Sequence, residues 1–225
     1  MMRCFVAGTD TDVGKTLVAA ALLIKCRERG QTAAGMKPVA AGCELRGGRL
    51  WNADVAALTA ASGLTLDRAL VNPYLFAAPI APHIAAAEEG IDIDLEHIAG
   101  CYARLCEKAD AVVVEGAGGF LVPLGGDSDG GDLARRLGLP VLLVVGMRLG
   151  CINHALLTQE AIAARGLTLA GWVANRVDPG MARFDANLAA LKSRLRAPLL
   201  GVIPFLDRPD AAAAARHLEL PPPSN

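Results

Sequence analysis

The sequence predicts a single α/β domain built on an open, mostly parallel β-sheet with helices on both faces. Three observations lead there. Apolar strand-like runs alternate with helix-like segments over most of the 225 residues. The runs 111–114 and 141–145 are continuously apolar, the pattern of parallel strands buried on both sides. The first run opens directly into a glycine-flanked loop and a helix, an arrangement that such sheets use to bind phosphate.

The first strand covers residues 4–7. The loop that follows reads Gly8-Thr9-Asp10-Thr11-Asp12-Val13-Gly14-Lys15-Thr16, and a helix over 16–26 follows it, with Leu17, Ala20, Ala21 and Ile24 on one face. In this context Gly-Lys-Thr is a P-loop. Its backbone N–H groups wrap a triphosphate, Lys15 reaches the outer phosphates, and the Thr16 hydroxyl serves Mg²⁺. The usual spacing puts glycine at position 9, where this chain has Thr9. Gly8 precedes it, so the loop is expected to be one residue longer than the common form.

Gly30 closes the first helix, and a strand over 32–39 carries Lys37-Pro38. Residues 40–51, rich in glycine and charge, read as a loop. Asn52 or Asp54 begins a helix over 55–61. Residues 64–80 are irregular and proline-rich, 82–89 are helical, and Asp94 caps a helix striped with Leu95, Ile98, Ala99, Tyr102, Leu105 and Cys106. The strand 111–114 ends at Glu115 and opens into Gly116-Ala117-Gly118-Gly119. A loop over 125–131, a short helix, the strand 141–145, a helix from Asn153 to Arg165, a strand over 169–174, a polar helix over 181–195 and a strand over 199–203 complete the pattern. The expected domain is residues 1–225, with the tail from about 210 frayed.

Composition narrows the function. Hydrophobic residues make up 53% and charged residues 20%, with a net charge of −1, so no global field draws the chain to nucleic acid or an anionic membrane. No apolar run reaches the ~18 residues that a membrane span needs. The N-terminus is already a strand rather than a signal peptide. The six cysteines contain no Cys-x-x-Cys, and neither they nor the four histidines have zinc-ligand spacing. A reduced, cytoplasmic protein is expected.

In open parallel sheets ligands bind at the carboxyl ends of the strands. Glu115 stands at such an end and suits a magnesium ligand beside Thr16, with Asp54 as the second carboxylate candidate and helix capping as its plainer role. Lys37, at another strand end and set in extended geometry by Pro38, suits a transferring phosphoryl group, or is simply solvated. The segment around Gly150 precedes a helix and suits either a carboxylate or an ordinary capped turn. Asn175, after the strand 169–174, suits either a purine edge or a turn.

Taken together, these motifs resemble the dethiobiotin synthetase family of ATP-dependent ligases. The resemblance runs through the P-loop, Lys37-Pro38-Val39-Ala40, Val71-Asn72-Pro73-Tyr74, Ala81-Pro82-His83-Ile84, Val114-Glu115-Gly116-Ala117-Gly118-Gly119, Leu149-Gly150-Cys151-Ile152-Asn153-His154 and Ala170-Gly171-Trp172-Val173-Ala174-Asn175. It implies ATP-dependent closure of a cyclic urea from 7,8-diaminononanoate and CO₂, through a carbamate and a carbamic-phosphoric anhydride. It further implies Thr11, Lys15 and Lys37 in catalysis and Mg²⁺ on Thr16, Asp54 and Glu115. Nucleotide contacts are implied from Asp12, Val13, Gly14, Lys15, Thr16, Leu17, Asp54, Glu115, Gly116, Ala117, Gly118, Asn175, Arg176, Pro204, Phe205 and Leu206. The substrate residues implied are Asp12, Lys37, Ala41, Gly118, Leu149, Gly150, Cys151 and Asn153, with the loop 150–153 supplied by the opposite subunit of a homodimer. Two positions depart from the family: Ala41 replaces a usual serine, and Asp12 a common glutamate. The aromatic expected near the substrate carboxylate, around 184–187, is not clearly aligned.

A nucleotide-switched regulatory ATPase of the partitioning or metal-insertion type is the competing reading. Such a switch needs neither a second active-site lysine nor a carboxylate pocket.

Overall fold

The computed structural model describes residues 2–221, so Met1 and the final residues 222–225 of the expected frayed tail lie outside the described residues. The chain begins with β1 (Arg3–Gly8), α1 (Lys15–Glu28), β2 (Ala33–Met36) and β3 (Val39–Ala40). The strands β4 (Glu44–Arg46) and β5 (Arg49–Trp51) lead to α2 (Ala53–Ser62), α3 (Arg68–Val71), β6 (Tyr74–Leu75), α4 (Pro82–Glu88) and α5 (Leu95–Cys106). Then come β7 (Ala111–Gly119), β8 (Pro123–Gly125), β9 (Ser128–Asp129), α6 (Gly130–Arg136) and β10 (Val141–Gly146). The last elements are α7 (Cys151–Ala164), β11 (Leu169–Asn175), α8 (Phe184–Arg194), β12 (Leu199–Ile203) and α9 (Ala211–Ala215).

Six of these strands form one sheet in the order β12-β11-β10-β1-β7-β2, and every neighbouring pair is parallel. The continuous apolar runs serve both faces. Phe5, Val112, Val114, Leu143 and Trp172 point into one core layer, and Val6, Val113, Leu142, Val144 and Val173 into the other. The first layer is covered by α5, α6, α7 and α8 through Ile98, Leu133, Ala155 and Leu191. The second is covered by α1, flanked by α2 and α9.

Several element boundaries differ from the sequence expectation. The strand expected over 32–39 is broken. β2 leaves β7 after Met36, and β3 pairs with β6 in a separate two-stranded sheet, because Pro38 has no N–H with which to continue the ladder. The loop expected over 40–51 contains a β4–β5 hairpin. Gly47 and Gly48 both take positive φ at its tip, as a tight hairpin turn requires, and the Arg46 guanidinium lies 3.3 Å above the Trp51 ring. The irregular stretch 64–80 holds α3 and β6, too short to carry a periodic signal.

β7 runs on past Glu115 to Gly119, pairing Gly119 with Gly8, since the glycines leave the backbone free to follow β1. The loop expected over 125–131 is shorter, because β8 and β9 pair and Asp129 caps α6 with a reciprocal capping box to Asp132. α7 begins two residues earlier than expected, at Cys151, behind Gly150. α8 starts later, at Phe184, after Arg183 with a left-handed φ of 56°. The expected fraying from 210 is corrected as far as 221. Asp210 accepts hydrogen bonds from the N–H groups of Ala212 and Ala213, Ala214 and Ala215 are buried against α1, and Leu218 bridges back to Gly201.

Candidate active site

The carboxyl ends of β1, β2 and β7 converge on one cleft of about 1220 Å³. Its near wall is the P-loop. Gly14 is left-handed at φ 89°, and a Cβ there would lie 2.2 Å from Asn175 Nδ2, so only glycine fits. α1 starts immediately after it, with no side-chain cap and no acid in its first turn. Its first N–H groups and the positive end of its dipole are thereby left for an anion. Lys15 is buried, and its Nζ donates to Asp10 O at 3.0 Å. Burial, and then repulsion from Lys37, bring its pKa down to about 8.

Opposite the loop stands a cluster of charge. Glu115 is buried, and its Oε1 accepts from Thr16 Oγ1 at 2.8 Å and from Lys37 Nζ at 2.5 Å. Asp54 Oδ2 lies 3.0 Å from the same ammonium. Burial opposes the Lys37 charge, but Glu115 and Asp54 outweigh it and hold its pKa above the usual lysine value. Burial likewise opposes the Asp54 charge, and Lys37 reverses the balance and holds that carboxyl below its usual range. Glu115 Oε2 is buried without a hydrogen-bond partner among the described residues, and the Thr16 hydroxyl also meets the Asp54 carboxylate. That donor set fits a hard, oxygen-liganded cation.

The cleft brings together most of the residues singled out from sequence. Thr11, Asp12, Gly14, Lys15, Thr16, Leu17, Lys37, Ala41, Asp54, Glu115, Ala117 and Gly118 all line it. Val13 is buried beneath the loop, and Gly116 lies behind the lining. Asn175 is buried under the P-loop, where its amide donates to Val13 O at 2.9 Å. Arg176, Pro204, Phe205 and Leu206 do not line this cleft, which is bounded on that side by residues 209–212. Leu149, Gly150, Cys151 and Asn153 also lie outside its lining. They sit at the start of α7, where Gly150 is left-handed at φ 94°, no side chain caps the helix, no acid occupies the first turn and Leu149 is 95% exposed.

Three features were missed by sequence reasoning. The walls at 79–80 and 210–212 belong to segments read as irregular or frayed. Arg148 pairs with Asp10 Oδ2 at 2.5 Å, tying the P-loop to the segment before α7. Asn72 contacts the backbone of Lys37. Neither pairing has a spacing signal, because the partners meet only through the sheet.

Phosphate loop, clustered buried charges and parallel sheet together define a P-loop nucleotide-binding α/β protein. A family model described as an AAA domain matches residues 2–213. The ATP-dependent dethiobiotin synthetase BioD of Aromatoleum aromaticum is 60% identical over 219 residues, covering 96% of each chain. The enzyme of the same name from a Janthinobacterium species is 53% identical, covering 96% of this chain and 94% of that one. The chain therefore belongs to the ATP-dependent dethiobiotin synthetase family. Among solved structures, the MinC:MinD cell division protein complex of Aquifex aeolicus superposes with a TM-score of 0.57 at 15% identity, over 92% of this chain and 83% of that one. That likeness is one of fold alone.

Proposed function

We propose that the chain closes the cyclic urea of dethiobiotin from 7,8-diaminononanoate and CO₂ while converting ATP to ADP and phosphate. The observation that carries this reading is Lys37, a second lysine held by Glu115 and Asp54 across the cleft from the P-loop.

In this reading the triphosphate lies on the P-loop amides and the α1 N-terminus, and Lys15 leaves Asp10 O for the outer phosphates. Thr16, Asp54 and Glu115 hold Mg²⁺, which supplies positive charge to the phosphate oxygens when bound. One substrate amine adds to CO₂, and the carbamate oxygen attacks the γ-phosphorus as ADP departs. Lys37 and Lys15 face that transfer and offset the charge that builds on the equatorial oxygens. The second amine then attacks the carbamate carbon, phosphate leaves with the former carbamate oxygen, and the ring closes. Asp12 faces the diamine as a counter-charge. Ala41 offers a methyl where the family usually offers a hydroxyl, so one substrate hydrogen bond is absent. Thr11 and Gly118 complete the wall on that side.

The other end of the substrate is a carboxylate. The uncapped N-terminus of α7, at 150–153, suits it and reaches the cleft of a second copy in a homodimer, with Leu149 at the contact. Asn175, Arg176 and the segment 204–206 are assigned to adenine on family likeness. The setting is cytoplasmic, consistent with no helix among the described residues being long and apolar enough to cross a membrane.

The test is to follow ADP release with 7,8-diaminononanoate or bicarbonate present or omitted. ADP should appear only when both are supplied. Release that ignores either one would support the regulatory ATPase instead.

A further inference from the structure

We propose that Asn72 is a positioning residue for Lys37, fixing the backbone from which the second lysine reaches the phosphoryl group; this rests on the role given to Lys37 above. The sheet itself does not fix that backbone. β2 pairs with β7 only as far as Met36 and Val114. Pro38 follows, with no N–H to offer, and β3 then pairs with β6 instead. Lys37 thus sits at a junction between two sheets, where its main chain needs partners from elsewhere.

Those partners come from one short segment. Lys37 N–H donates to Val71 O at 2.8 Å, and Asn72 Nδ2 donates to Lys37 O at 2.6 Å and to Tyr74 O at 3.0 Å. Tyr74 N–H returns to Pro38 O at 3.1 Å. The Asn72 amide therefore replaces the missing rung between β2 and β3. Its backbone is held in turn by Arg68 O, at the end of α3.

Asn72 is 5% exposed, and its Oδ1 is buried with no partner among the described residues. An unmet buried acceptor costs stability, and an apolar side chain of the same size would avoid that cost. The amide is retained for its two donated bonds. The group it steadies is demanding: the Lys37 ammonium is buried and must meet Glu115 and Asp54 at 2.5 and 3.0 Å. A displacement of its Cα by a fraction of an ångström is carried to Nζ, where transfer chemistry is sensitive to position.

The experiment compares Asn72→Asp and Asn72→Ala with the unmodified enzyme. The aspartate keeps the shape but sets acceptors against two carbonyls, and the alanine removes both bonds. Asn72→Ser, with a shorter donor and no added bulk, replaces either one that does not fold. Two readouts are taken on folded protein. The first is kcat and the KM for ATP, where turnover is expected to fall about tenfold or more while the KM for ATP stays within about twofold, because Lys15 and Thr16 are untouched.

The second readout needs no turnover: the ¹⁵Nζ resonance of Lys37, identified by its loss in Lys37→Ala, should shift or broaden in the Asn72 variants. An unchanged Lys37 resonance in folded variants would overturn the proposal, and so would unchanged turnover. A loss of turnover matched by an equal rise in the KM for ATP would make Asn72 a general structural residue and overturn it as well. Failure of the ligase reading would show separately, as absence of diamine-dependent turnover in the unmodified enzyme, and the resonance would still decide the case for Asn72.

Discussion

Lys37 is buried between two carboxylates, and its value lies in charge held at a fixed place. Lys37→Ala should lower product formation at least about a hundredfold, the scale of losing one transition-state donor, in steady-state assays on protein shown to be folded by circular dichroism. Asp12 is a non-glycine residue at a left-handed φ of 57° on an exposed loop, so its side chain is retained against backbone strain. Asp12→Gly should gain up to about 1 kcal/mol in denaturant unfolding and raise the KM for diaminononanoate about tenfold through loss of a charge-assisted contact. At this scale the sequence was informative where chemistry stands at a strand end. Glu115 and Lys37 followed from that rule, Thr16 from the Gly-Lys-Thr motif and Asp54 as the second carboxylate candidate, and the structure brings them together. The Asn72–Lys37 contact and the Arg148–Asp10 pair were not readable, because their partners are set by crossovers rather than spacing.

Helices and strands with a continuous or periodic apolar pattern were legible almost to the residue, as in β12, whereas short elements were not. β3 and β6 are two residues each and exist only because they meet each other. α9 was obscured by a run of five alanines with no apolar stripe, although Asp210 at its start is an ordinary cap signal. A chain ended after residue 210 should expose the face of α1 that Ala214 and Ala215 cover, and so unfold at a lower temperature by scanning calorimetry. Farther from the site, Arg165 at the end of α7 pairs with Asp129 at 2.5 Å and Asp132 at 2.7 Å at the start of α6. Burial opposes the charge on Asp132, but hydrogen bonds from Arg165 and the Asp129 N–H prevail and hold its carboxyl below the ordinary 3.8. A carboxyl depressed in the folded state contributes stability above its unfolded value and loses it as pH falls through the folded one. The melting-temperature gap between the unmodified protein and Asp132→Asn should therefore be widest near about pH 6 and close towards about pH 3.

For the whole molecule, alternation of strands and helices was enough to foresee the parallel sheet with both faces covered. The assembly is another matter, since the uncapped α7 N-terminus and the exposed Leu149 have no periodic pattern that names a partner, and a second copy is proposed there on family likeness. If the loop 150–153 completes the partner's site, mixing Lys37→Ala with Gly150→Pro should restore activity that neither variant has alone. A mixed dimer then holds one site with both parts intact; continued inactivity after subunit exchange would place the loop in its own chain's site or outside the reaction. The most direct measurement of the reaction itself is mass spectrometry of the product formed from ¹³C-bicarbonate, 7,8-diaminononanoate and Mg-ATP. A ring-closing ligase yields dethiobiotin with a single ¹³C at the urea carbon for each ADP released. ADP formed without labelled dethiobiotin would contradict it.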